Sequence, residues 1–457
     1  LRVGNGAAAG ATYTATIASA IVGTGGIRKT DFGTLILSGA NAYTGTTTVS
    51  SGTLLINGNS SAVTAPVTVG AGGALGGSGR IGGAVTVADG GALQGVQGNT
   101  FTVAGLALNS ASQVNITLGA PSTIALFSVL GNLTLDGTLN VTNAGAFGYG
   151  VYRLFNYTGT LTNNELDIGQ VPGGVSTQAL KVQTSRANQV NLLYEDITLP
   201  LPNWAGGSGV WSIAPSGNWS NEVSTGGWRS GFALFQDTAG AVTVDTGPGA
   251  VGVTGIQFAS NGYSVHGGAL TTNTANTVIR VGDGTAASAG VRAIITSPII
   301  GIGGINKDDF GTLILSGANA YTGGTTVSRG VLEIASNANL GATSGGVTFN
   351  GGTLRTTAAL SSARAGTLAS GGTVDTAGNA VTLVGVISGT GSLTKTGTGV
   401  LTLAGNNTFT GATTIDQGGI TLLNSSLAAT TIAQGAQLGG IGTIRGNLTN
   451  QGLLSPG

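Results

Sequence analysis

The chain has 457 residues, 85 of them glycine, and its 16 basic and 16 acidic side chains leave a formal net charge of zero. That balance offers no basic stripe to nucleic acid or anionic lipid, so neither is expected as a partner. A hydrophobic share of 40% with only 9 prolines argues against disorder, and the lack of cysteine rules out disulfides and thiolate metal sites.

No uninterrupted apolar run approaches the roughly 18–20 residues that a membrane-crossing helix needs. Apolar residues alternate instead with Thr, Ser and Gly, as in Thr34-Leu35-Ile36-Leu37-Ser38. That is a strand pattern, and the chain reads as all-β. From the start, residues 1–6 (LRVGNG) match residues 279–284 (IRVGDG). The chain is therefore expected to begin in mid-repeat. Without a methionine or a signal segment, Leu1 is not expected to be a natural start.

The next stretch, 31–45 (DFGTLILSGANAYTG), returns letter for letter at 309–323, and a looser copy (GTGVLTLAGNNTFTG) runs over 397–411. Within one copy, residues 34–38, 46–50 and 53–56 read as short strands. Gly39-Ala40-Asn41 and Ser51-Gly52 read as corners, because Gly and Asn tolerate positive φ. Comparing copies assigns the faces. Leu54, Leu332 and Ile420 stay apolar, as do Ile56, Ile334 and Leu422, while the residue between them varies as Leu55, Glu333 and Thr421. The varying position is predicted to face outward, and Leu35, Leu37 and Val49 complete the inward set. Three strands and three turns over roughly 20–25 residues fit one rung of a parallel β-solenoid. About 20 rungs at ~4.8 Å each would make a single elongated rod of about 100 Å.

Residues 122–201 depart from the pattern. They are poorer in glycine and carry Arg153, Glu165, Asp167, Lys181, Arg186, Glu195 and Asp196, ending in a predicted bend at Leu199-Pro200-Leu201-Pro202. A tryptophan-rich section, 203–232, follows with Trp204, Trp211, Trp219 and Trp228. The repeat shifts define a first long unit, 1–278, and a partial second unit, 279–457, with an extra sub-repeat inserted between the second and third motif copies. One continuous β-helix is expected through both.

Few residues offer catalytic chemistry. His266 is the sole histidine, there is no cysteine nucleophile, and no G-x-S-x-G elbow occurs. A lone histidine beside Tyr263 and Gly267 reads as a surface residue. Asp308-Asp309 becomes Thr30-Asp31 and Thr396-Gly397 in the other copies, so it reads as a solvated turn. No catalytic, metal or cofactor residue is assigned. The four tryptophans admit two readings: plugs packed within irregular rungs, or aromatic platforms for sugar rings, with Asn203 or Asn218 beside them. Tyr43, Tyr321 and Phe409 hold one place in the three copies and are predicted to form a structural stack.

The motif K-x-x-x-G-x-L-x-L-x-G-x-N-x-(Y/F)-T-G-x-T-T-(V/I), at 29–49, 307–327 and 395–415, resembles the passenger-associated repeat of bacterial autotransporters; in the third copy Ala412 replaces the small polar residue before Thr413. The segment 131–174, the tryptophan block and residues 279–284 are similar to text in very large members of that family. The resemblance implies a right-handed parallel β-helix on the outside of a Gram-negative cell, carried by a C-terminal outer-membrane barrel of the same polypeptide. It also implies that residues 454–457 (LSPG) stand where passengers usually continue. The expected function is a surface-exposed stalk in adhesion, autoaggregation or biofilm formation, meeting other cell surfaces, glycans or copies of itself. A self-assembling fibre or surface layer is the alternative. A polysaccharide-cleaving β-helix enzyme is a third reading, for which Glu165 and Asp167 are the nearest approach to a carboxylate pair.

Overall fold

A computed structural model describes residues 1–122, 124–195, 203–220, 225–228, 231–272, 276–284 and 286–457. It divides into two compact units, Leu1–Ile197 and Thr198–Gly457. Each is a β-solenoid. The repeat boundary at 278/279 falls inside a strand of the second unit, Asn276–Val281. The predicted bend at Leu199-Pro200-Leu201-Pro202, like Asp196, lies outside the described residues.

In the first unit, three sheets share the strands in rotation, so that every third strand pairs with the next in its own sheet. The largest has eight strands, from Thr14–Ile17 to Asp167–Ile168, all parallel. Its register stacks like on like: Leu35 pairs with Leu54, Leu54 with Leu75, Leu75 with Leu93, and Leu93 with Val114. One turn of the coil thus takes ~20 residues and advances by one strand spacing of ~4.8 Å. The expected faces hold. Leu35, Leu37, Val49, Leu54 and Ile56 are buried, while Leu55 between the last two is half-exposed.

The glycine-poor stretch departs from this pattern on one sheet. Gly150–Tyr157 still stacks in parallel on Phe127–Val129, and Leu161–Asn163 and Asp167–Ile168 continue the coil, but its other edge pairs antiparallel with Gln189–Tyr194, itself antiparallel to Leu180–Gln183. Val151, Leu154, Phe155, Val190 and Leu192 bury their side chains there. This meander covers what would be an open sheet edge.

The second unit opens with a short antiparallel set, Asn203–Trp204, Trp219–Ser220 and Thr225–Gly226, and then pairs in parallel. Tyr263, Ala293, Leu313, Leu332, Leu354 and Val374 form one buried column. Between the second and third motif copies run two ten-residue strands, Val347–Thr356 and Gly366–Asp375, paired with each other. One corner explains itself in every copy. Gly52, Gly330 and Gly418 have φ of 67°, 60° and 65°. A Cβ there would meet a carbonyl oxygen of the preceding rung at 2.4, 2.4 and 2.6 Å (Asp31, Asp309 and Gly397), so only glycine fits.

Candidate functional sites in the repeat cradle and on the outer face

The three motif lysines, Lys29, Lys307 and Lys395, are fully buried. Each sits at the end of an inward strand, just before a residue in the left-handed conformation: Asp31, Asp309 and Gly397, with φ of 75°, 71° and 74°. That turn aims carbonyls inward, and each ammonium meets three of them. Lys307 Nζ donates to the Asp308, Asp309 and Arg329 carbonyls at 2.8, 2.6 and 3.1 Å. Lys29 does so to Thr30, Asp31 and Ser51 at 3.1, 2.7 and 3.1 Å, and Lys395 to Thr396, Gly397 and Gln417 at 2.7, 2.7 and 3.1 Å. The third acceptor always belongs to the next rung. Burial lowers the pKa of all three amines, to about 7 at Lys307 and about 8 at Lys395.

The motif asparagine adds a second tie. Asn41, Asn319 and Asn407 Oδ1 accept from the backbone N–H of Ile21, Ile299 and Ile387, one rung back, at 2.9, 2.8 and 2.6 Å. Their Nδ2 atoms donate one rung forward, to Ser60 Oγ, the Asn339 carbonyl and Ser425 Oγ at 3.0, 2.6 and 2.7 Å. The aromatic position forms a third. The Tyr43 and Tyr321 hydroxyls bond Thr47 and Thr325 Oγ1 at 2.6 and 2.7 Å. In the third copy Phe409 has no hydroxyl, and Thr413 Oγ1 is buried without a partner.

The Asp308-Asp309 pair is not the solvated turn that the sequence led us to expect; both residues are buried. Asp308 faces Arg329 at 2.8 Å and Arg280 at 3.8 Å. Asp309 accepts from the Gly284 and Phe310 N–H groups at 2.8 and 2.7 Å, and burial raises its pKa to about 6. The position demands a left-handed backbone, which aspartate tolerates and glycine prefers, so Gly397 can replace it.

On the outer face two features stand out. In the second unit Glu333, Arg355 and Asp375 are register neighbours on successive rungs. Arg355 bonds Asp375 at 2.7 Å and faces Glu333 at 3.7 Å, and Arg292 reaches Glu333 at 3.3 Å. This ladder neutralises itself. In the first unit Asn115 pairs with Asn140, flanked by Gln113 opposite Thr138. Asn140 Nδ2 donates to Asn115 Oδ1 at 2.8 Å, and its Oδ1 accepts from the Gln170 N–H at 2.9 Å. These residues, with Thr142, line a cavity of ≈ 390 Å³. A second cavity of ≈ 540 Å³ shares Thr142 and Gln170 and extends over Val171, Pro172 and Gly173.

The cradle coincides with known repeats. The Passenger-associated-transport-repeat matches residues 27–56, 305–334 and 393–422, the three windows that contain the lysine, asparagine and aromatic ties. The chain carries autotransporter passenger repeats. It is also 42% identical over 288 residues to the adhesin BmaC autotransporter of Brucella suis biovar 1 (strain 1330), a match covering 58% of this chain and 8% of that relative. The matched part is thus a small fraction of the curated relative.

Within the second unit the four tryptophans pack against one another. Their exposures are 0–2%. The Trp219 ring lies 5.1, 5.1 and 4.7 Å from those of Trp204, Trp211 and Trp228, and Phe235 closes the cluster. Trp204 Nε1 donates to the Gly207 carbonyl at 3.0 Å and Trp228 Nε1 to that of Gly252 at 2.6 Å. The rings are covered, and sugar stacking would need an open one. His266 is half-buried, with Nε2 3.0 Å from Thr243 Oγ1. Glu165 and Asp167 are exposed, and among the described residues no three His, Cys, Asp or Glu side chains converge. The roles of the lysine and asparagine went unread in the sequence. Their signal was identity in all three copies, the lysine on a strand where an aliphatic residue would ordinarily sit and the asparagine at a corner.

Proposed function

We propose that this chain is a stretch of the cell-surface passenger stalk of an adhesive autotransporter. It would be carried outside a Gram-negative cell by an outer-membrane barrel of the same polypeptide. The observation that carries this reading is a division of labour. The residues shared by all three repeats spend their hydrogen bonds inside the solenoid, on carbonyls and N–H groups of neighbouring rungs. The chemistry left for partners is therefore the outer face, neutral and rich in Thr, Asn and Gln, which suits contact better than catalysis. The likeness to a relative named an adhesin points the same way. Other cell surfaces, glycans or further copies of the chain are the partners such a face would meet.

Beads coated with the purified chain, offered to cultured epithelial cells and to uncoated beads, test the reading. Cell attachment above that of albumin-coated beads supports it. Attachment at the albumin level, with the chain folded by circular dichroism, would overturn it. Bead–bead clumping without cell attachment would instead make self-assembly the function.

A further inference from the structure

The outer row of the largest sheet in the first unit changes character from rung to rung. It reads Ile36, Leu55, Gly76, Gln94, Asn115 and Asn140 in pairing order. Next to Asn140 comes Gly169, where a Cβ would stand 2.5 Å from Asn140 Oδ1 and 2.5 Å from Thr138 Cγ2. The missing side chain leaves the Asn140 amide room in the smaller of the two cavities, which shares Thr142 and Gln170 with the larger.

We propose that this groove binds a neutral oligosaccharide, a proposal that rests on the adhesive reading and names its ligand class. The charge argument comes first. No Lys, Arg, Asp or Glu lines either cavity. A sulfated, sialylated or phosphorylated ligand would shed its hydration there with no cation to meet it. The second argument is hydrogen-bond type. A carboxamide offers a donor and an acceptor side by side, and a threonine hydroxyl offers both on one atom. Adjacent sugar hydroxyls present the matching set. The third is preorganisation: Asn140 is held on one side by Asn115 and on the other by the Gln170 N–H. Both amides are thus fixed before any ligand arrives, so little order must be created on binding. The fourth is shape. Successive rungs repeat the amides every ~4.8 Å, close to the span of one pyranose. Val171 and Pro172 supply an apolar wall for ring C–H faces. Cavities of ≈ 390 and ≈ 540 Å³ that share two residues accommodate a short oligosaccharide.

The test uses the full 457-residue chain. Maltohexaose, cellohexaose and lacto-N-tetraose are the neutral probes, and sialyllactose and a heparin hexasaccharide the charged ones, with binding read by saturation-transfer NMR and calorimetry. At least one neutral probe should bind and the charged ones should not. The Gln113→Ala/Gln170→Ala variant should weaken that binding about tenfold or more. Both side chains are exposed, so the variant should keep the wild-type circular dichroism and melting curve. Silence from every neutral probe, equal binding of charged ones, or affinity untouched by the double variant would each overturn the proposal. Self-association that disappears in the variant would reassign the groove to a second copy and overturn it too. Bead attachment separates this proposal from the one beneath it. Attachment that persists in the variant, with no sugar bound, sinks the groove and leaves the adhesive reading standing. Sugar bound in the groove by a chain that attaches to no cell does the reverse.

Discussion

The second and third repeat copies are two answers to one structural problem, set close together in the same unit. Both bury a lysine under three carbonyls and an asparagine between two rungs. Three of their many differences are informative: Asp309 against Gly397, Tyr321 against Phe409, and Glu333 against Thr421. The first difference is tolerated because only the backbone conformation is needed there. The second leaves a buried hydroxyl without a partner in the third copy. The third lies on the outer face, where side chains answer to solvent and neighbours rather than to the core. What the copies keep is the cradle, and what they vary tells which way a residue points.

Breaking the shared part should have the largest effect. Lys307→Met strands three buried carbonyls, and a loss of about 3–5 kcal/mol in local stability is expected. Amide exchange is the proper readout, since a stack of rungs opens locally. Exchange should quicken across residues 305–334 and stay near wild type in the window 27–56; unchanged protection in both would contradict the cradle. Asn407→Ala leaves the Ile387 N–H without its acceptor and takes one of the Ser425 hydroxyl's partners, at an expected cost of about 1–3 kcal/mol, read as faster exchange at Ile387. An Ile387 amide as slow as wild type would mean that another acceptor replaces it.

Acidity sharpens the same comparison. The folded pKa of Lys307 is about 7, below its ordinary 10.5. Between those values the unfolded chain binds more protons than the folded one, so stability rises with pH across the window and is lost as pH falls toward 7. Measured from roughly pH 7.5 to 9.5, wild type should gain stability relative to Lys307→Met. A constant difference would show that the three carbonyls hold the ammonium fully charged.

The aromatic swap is smaller and runs in both directions. Tyr321→Phe should cost about 1 kcal/mol, and Phe409→Tyr should recover about as much by giving Thr413 Oγ1 a partner. A destabilised Phe409→Tyr would mean that the third copy has no room for the hydroxyl. Glu333→Thr, which copies the outer residue of the third repeat, should change stability by ~0.5 kcal/mol, since half-exposed ion pairs contribute little. A loss several times larger would show that the Arg292–Glu333–Arg355 ladder holds rungs together.

Much of the fold was legible because repeats turn one sequence into an internal alignment. The alternation of Leu54, Leu55 and Ile56, set against Leu332, Glu333 and Ile334, was enough to place the core. The antiparallel meander at Gly150–Tyr157 showed only as a shortage of glycine, with nothing to say how those strands would pair. Tryptophan was ambiguous for a chemical reason: the same indole serves as a plug or as a platform, and burial decides between them. The groove could not be read at all. Gln113, Asn115, Asn140 and Gln170 lie on rungs longer than the repeat and become neighbours only through the pairing register. The lysine went unread for a different reason, since a charged residue in a strand ordinarily points outward.

The most direct measurement sets stability and attachment side by side for two variants, Lys395→Met and Gln113→Ala/Gln170→Ala, with beads carrying equal amounts of folded chain. The cradle variant should melt earlier yet attach like wild type per folded molecule, while the outer-face variant should melt like wild type and attach less. A folded Lys395→Met chain that fails to attach, beside an outer-face variant that attaches fully, would contradict the division between an inner scaffold and an outer contact surface.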